Sequence, residues 1–151
     1  MNERKITDGI TIAGQPTTAE LEKLKESGFR TVVNLRAASE SGALPDEERL
    51  VEEAGLNYAE IPVASNTLDD LAVQRFIGAV ATTDSQPALV HCAGGGRAGL
   101  MTLLHLAIEH GWSLAQAMEE GEKLGIAPAP NSPYRAFFES YIKRHSPAER
   151  V

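Results

Sequence analysis

Cys92 and Arg97 stand at the two ends of a short run, HCAGGGR, in which four residues separate them and three of those four are glycines. A thiol, a glycine turn and a guanidinium in that order suit nucleophilic attack on an oxyanion centre at phosphorus or sulfur. Glycine admits positive φ and lets a ligand approach the backbone closely, so the free amides of the turn converge on one concavity, a nest that attracts oxyanions. Those amides, the dipole of a following helix and the charge of Arg97 all favour thiolate over thiol, the nucleophilic form. Cys92 is then the expected nucleophile. Arg97 is the expected anion fork, able to hold two oxygens and to offset charge that builds in the transition state. Ala93, Gly94, Gly95, Gly96 and Ala98 complete the expected oxyanion loop. His91 falls on the opposite side of an alternating strand from Cys92, so it is expected to organise the loop, or simply to be a structural histidine.

Such a loop needs a strand before it and a helix after it. Pro87 to Val90 reads as a buried strand, and Leu100, Leu103, Leu104, Ala107 and Ile108 recur at helical spacing, giving a helix over 99–109. Upstream, Ile10 to Ala13, Thr31 to Leu35 and Tyr58 to Val63 read as strands. Between them lie helices, one capped by Thr17 with Glu20 and ended by Gly28, one opened by Pro45-Asp46 and closed by Gly55, and one capped by Thr67 with Asp70. After the loop the chain reads as helix only, including 113–124 with a Ser113/Gln116 capping box and 133–144, joined by APAPNSP. The pattern predicts one α/β domain over residues 1–151, with a mostly parallel sheet of four to five strands flanked by helices and a helical C-terminal third. Ligands of such sheets bind beyond the carboxyl ends of strands, where Cys92, Arg36 and Ser65 fall. Residues 37–44, AASESGAL, read as a mobile loop.

The segments ITIAGQPTTAELEKLKESGFRTVVNLR, YAEIPV and HCAGGGRAGL with EHGWSLAQAMEEGEKLGI resemble the cysteine-dependent phosphatases, and in particular the small bacterial phosphatase-like family that also occurs as a domain of beta-lactamase-hydrolase-like proteins. The resemblance spans roughly nine-tenths of the chain, and the loop, one residue shorter than the usual His-Cys-x5-Arg, is the form this family carries. It implies a cysteine-phosphatase fold and hydrolysis of phosphate monoesters on a phosphorylated small molecule or phosphoprotein, with no cofactor and no metal. It also implies an aspartate that protonates the leaving oxygen, placed where this chain has Val63-Ala64-Ser65-Asn66. No carboxylate stands there. Ser65 and Asn66 are retained as supporting residues, and Asp69 and Asp70 are the nearest acids, more economically read as complementing a helix dipole. Ala98 replaces the hydroxyl residue the family usually has after the arginine. Arg36 is either a second positive charge at the mouth or a solvated strand-end arginine.

The Cys-x4-Arg spacing also resembles rhodanese-type sulfurtransferases, which would carry a persulfide on Cys92 and need no acid. A third alternative is an oxyanion-binding module without turnover. The net charge of −7 argues against nucleic acid or an anionic membrane as partner. One cysteine, no apolar leader and no membrane-length apolar run make the cytoplasm the expected compartment. His105, His110 and His145 share no ligand spacing, and Trp112, Tyr134, Phe137, Phe138 and Tyr141 read as core.

Overall fold

The computed structural model describes residues 1–149. Five strands, β1 (Arg4–Thr7), β2 (Ile10–Ala13), β3 (Thr31–Asn34), β4 (Asn57–Glu60) and β5 (Ala88–His91), form one sheet in the order β1-β2-β5-β3-β4. Only the β1–β2 pair is antiparallel. The expected mostly parallel α/β sheet is thus present, and β5, the strand that leads to Cys92, occupies its centre. Strand β1 has a charged RKIT sequence with no apolar alternation to announce it, and sits at the edge.

Helices α1 (Thr18–Lys23), α2 (Glu47–Glu53), α3 (Asp70–Val80), α4 (Gly96–His110), α5 (Leu114–Leu124) and α6 (Arg135–His145) surround the sheet. Both predicted capping boxes, Thr17 with Glu20 and Ser113 with Gln116, are formed. The third cap differs: Asp69, not Thr67, accepts from the Ala72 amide at 2.9 Å, while the Thr67 hydroxyl accepts from Ala64 N at 3.0 Å in the preceding turn. Helix α4 starts at Gly96, three residues before the periodicity does, because packing rather than propensity sets its first turn.

Strands β2, β3 and β5 are buried along their whole length, whereas β4 at the edge is not. Leu89, Val32 and Ala13 face Leu21, Leu24 and Val51 of the α1/α2 layer. Ala88, Val90 and Cys92 face the larger layer, where Phe76, Leu103, Leu104 and Phe138 from α3, α4 and α6 pack. This alternation decides the site: successive residues His91 and Cys92 leave β5 toward opposite layers. Among the described residues no helix is long and apolar enough to cross a membrane.

Candidate functional site

Cys92 lies just past the end of β5, its amide donating to the Ala13 carbonyl at 3.3 Å. The residue is buried, 1% exposed, in the layer of α3, α4 and α6, yet its sulfur is not purely in apolar company. The Gly95 amide donates to Sγ at 3.0 Å. Gly95 has φ +100°, a conformation that glycine alone adopts readily, and it is that turn which aims the amide back at the sulfur. Gly94 and Gly96 have no such conformational need, and a Cβ on either would meet nothing within 4 Å. Their missing side chains leave open space over exposed backbone, which is what a ligand requires to reach the amides. Ala93 and Gly96 are exposed, and Ala98 is buried in the first turn of α4.

Arg97, in the first turn of α4, turns toward the end of β3. Its Nη1 donates to Glu40 Oε2 at 2.8 Å and to the Val63 carbonyl at 2.9 Å, and its Nη2 donates to Glu40 Oε1 at 2.9 Å. A guanidinium carries five N–H donors, so three are engaged and two, on Nε and Nη2, are not claimed by any described residue. The pair is mutual in its electrostatics. Arg97, donating to the Glu40 carboxylate, holds that acid down to about 2, and Glu40 in turn raises the pKa of Arg97.

Arg36 departs from the reading as a solvated strand-end arginine. It is 5% exposed. Its Nε donates to Glu40 Oε1 at 3.2 Å, Nη1 to Gln15 Oε1 at 3.0 Å and to the Gly42 carbonyl at 3.1 Å, and Nη2 to the Ser41 carbonyl. Residues 37–44, read as mobile, are wound around this buried cation, which supplies the donors that a turn of exposed polar residues lacks. Beyond Gln15 the chain of contacts continues. Gln15 Nε2 donates to Glu47 Oε1 at 2.9 Å, and His91 Nε2 donates to Glu47 Oε2 at 2.6 Å, with His91 Nδ1 3.4 Å from the Cys92 carbonyl oxygen. His91 therefore points away from the thiol and braces the loop from below, in agreement with strand alternation.

Ser65 and Asn66 are exposed on the turn after Val63. The two candidate acids are engaged elsewhere. Asp69 caps α3, and Asp70 receives both nitrogens of the Arg144 fork and His145 Nε2 at 3.0 Å, which holds its carboxyl down to about 2, chiefly through Arg144. Both are thus helix-terminal groups, as the economical reading had it. Phe138 and Tyr141 are core, but Tyr134 is half-buried and within electrostatic reach of Cys92, Arg97 and Glu40, with burial raising its pKa. Glu40, Glu47 and Gln15 were not singled out by sequence reasoning. The signal for Glu40 was an acid four residues after a strand-end arginine, too common a pattern to stand alone. A cleft of about 400 Å³ shares the wall of Gly94, Gly95 and Gly96 and is closed by Arg4, Ile12 and Ile126, but neither Cys92 nor Arg97 lines it.

The sequence and the fold have counterparts in known proteins. The beta-lactamase hydrolase-like protein of Xylella fastidiosa strain 9a5c is 30% identical over 138 residues, which cover 80% of this chain and 32% of that protein. The chain spans between a quarter and a third of the length of the curated relatives it matches. A DUF442 protein of Shewanella putrefaciens CN-32, described as a candidate phosphatase, superposes with a TM-score of 0.78 at 26% identity, covering 95% of this chain and 93% of that one. TpbA of P. aeruginosa, in a complex with pTyr, shares the fold with a TM-score of 0.67 at 18% identity, covering 98% and 86%. A family model described as DSP-PTPase phosphatase fused to NAD+ kinase matches residues 5–128, and with most of its length so matched the chain belongs to that DSP-PTPase phosphatase family.

Proposed function

We propose that this chain hydrolyses phosphate monoesters through a phosphocysteine at Cys92. The observation that carries the reading is the pairing of a sulfur held by a loop amide, Gly95 N to Sγ at 3.0 Å, with an Arg97 whose two unclaimed donors lie on one guanidinium edge. In the first step Sγ attacks phosphorus and the ester P–O bond breaks, the leaving oxygen keeping the electron pair as a phenolate or alkoxide that then takes a proton from water. Loop amides and Arg97 hold the non-bridging oxygens, where negative charge gathers. In the second step water attacks the phosphocysteine, the P–S bond breaks, and phosphate departs from a regenerated thiolate. No metal is required by this sequence, and none of its steps uses a cofactor.

Substrate preference follows from the acids. With Asp69 and Asp70 engaged at the start of α3, a leaving group that needs no protonation reacts faster, so aryl phosphates are favoured over alkyl ones. That preference covers a phosphotyrosyl protein and a small aryl phosphate alike. The experiment is hydrolysis of p-nitrophenyl phosphate by the purified chain. Turnover that vanadate suppresses, that Cys92→Ser abolishes, and that leaves a phosphocysteine in an acid quench supports the reading. Absence of turnover with retained phosphate binding would replace it with an oxyanion-binding module, and a persulfide on Cys92 after thiosulfate treatment would replace it with sulfur transfer.

A further inference from the structure

We infer that the cleft on the flank of the glycine loop is a second, non-covalent site, which takes a small organic monoanion, a carboxylate on a short apolar body, with Arg4 as the cation that holds it. The cleft encloses about 400 Å³, within the range of small-molecule sites. Neither Cys92 nor Arg97 lines it, so its occupancy does not depend on the proposed hydrolysis.

Arg4 gives the cleft its charge. In a chain with 21 acids against 14 lysines and arginines, Arg36, Arg49, Arg97, Arg135 and Arg144 each meet a carboxylate. Arg4 meets none among the described residues. Its hydrogen bond runs from Nη2 to the Gly125 carbonyl at 3.4 Å, a long contact that leaves four of the five guanidinium N–H donors unclaimed by any described residue. The place of the group is set nonetheless. Gly125 ends α5 with φ +74°, and a Cβ there would stand 3.0 Å from Arg4 Nη1, so the bare backbone of this turn seats the guanidinium at the cleft wall.

The other walls decide what accompanies the anion. Ile12 and Ala13 of β2 and Ile126 and Ala127 after α5 line the cleft, and Arg4 is the one charged side chain among its described lining residues. Gly94 and Gly96 complete the wall. Neither has positive φ, a Cβ on either would meet nothing within 4 Å, and glycine is a poor helix former at the start of α4. The fold requires neither glycine, and both keep space open on the side of the loop that faces Arg4. One guanidinium satisfies one carboxylate, whereas a second negative charge would be set against apolar walls with no cation to meet it. Those walls favour an alkyl or aryl body, which gains by leaving water.

The test is titration of the full chain with hexanoate near pH 7, read from nitrogen-15 amide shifts of the cleft residues Gly99 and Gly125. Hexanol keeps the body without the charge, and acetate keeps the charge without the body. We expect hexanoate to bind with a Kd of about 1 mM and the other two to bind about tenfold more weakly or worse. Arg4→Met, on an exposed edge-strand side chain, should weaken hexanoate about tenfold, and Arg4→Lys should fall between, because an ammonium keeps the charge and loses the fork. Cys92→Ser should bind it as wild type does. Hexanol binding as tightly as hexanoate, which needs no variant to observe, would overturn the inference, and so would undiminished binding to Arg4→Met. Loss of binding in Arg97→Met with Arg4→Met unaffected would also overturn it, by placing the carboxylate over Cys92 instead. Failure of the hydrolytic reading shows separately, in p-nitrophenyl phosphate turnover.

Discussion

Two carboxylates in this protein each bridge an arginine and a second cationic or polar partner, and they do opposite jobs. Glu40 joins Arg97 to Arg36 beside the glycine loop, and Asp70 joins Arg144 and His145 where α3 meets α6. Both are held down to about 2 by their arginine. What separates them is the cation behind. Arg36 is 5% exposed and also donates to Gln15 and to the Ser41 and Gly42 carbonyls, whereas the Arg144 side chain is 46% exposed. One cluster is the internal frame of a loop, and the other lies on solvated helix ends, where water and salt share the charge. The same ion pairing therefore has different consequences according to what it organises.

Turnover should break the symmetry most. Glu40→Ala should lower kcat/KM for an aryl phosphate by about 100-fold, because Arg97 loses the partner that sets its plane, while Asp70→Ala should change it by less than about twofold. Steady-state kinetics on both variants decide the matter, and equal losses would mean that α3 and α6 govern the loop as strongly as Glu40 does. Stability comes next. Arg36→Met leaves Glu40, Gln15 and two carbonyls short of donors in a buried setting and should cost about 3 kcal/mol in urea unfolding. Asp70→Asn should cost a small fraction of that.

The contrast also marks what could be read from the chain alone. Cys92, the glycines and Arg97 are neighbours in sequence, and their chemistry is expressed by a strand, a turn and a helix that local pattern announces. The Glu40–Arg97 contact joins residues 57 positions apart, and it exists only because β3 and β5 are adjacent in the sheet. Arg36 was open to reading as solvent-exposed because nothing local supplies its partners: they come from Gln15, Glu40 and the backbone of 41–42, gathered by a loop whose polar composition looks unstructured. Gly96 illustrates the converse. Glycine is a poor helix former, yet it opens α4, because the buried Ala98, Leu100 and Met101 that follow fix the helix from inside. Long-range burial of polar groups leaves no periodic signature, whereas apolar faces and caps do.

Acid should expose the smallest but most diagnostic difference. Glu40 has its folded pKa depressed from 4.5 to about 2, so the unfolded chain binds its proton first as pH falls. The stabilisation from this carboxylate is complete above about pH 4.5 and is lost progressively down to about pH 2. Asp70 behaves likewise from 3.8 down to about 2, so overall stability should decline with acid in both cases. Salt separates them. At about 1 M salt the screening length is about 3 Å, which should flatten the acid dependence that Asp70→Asn removes from the exposed cluster. The part that Glu40→Gln removes should persist, because two of the four donors on that carboxylate, Arg36 and the Ala37 amide, are fixed by the loop itself. Urea midpoints measured from pH 5 to pH 2 at low and high salt give both slopes. If salt erases the Glu40 contribution as fully as that of Asp70, the buried Arg36 is not what sets the two clusters apart.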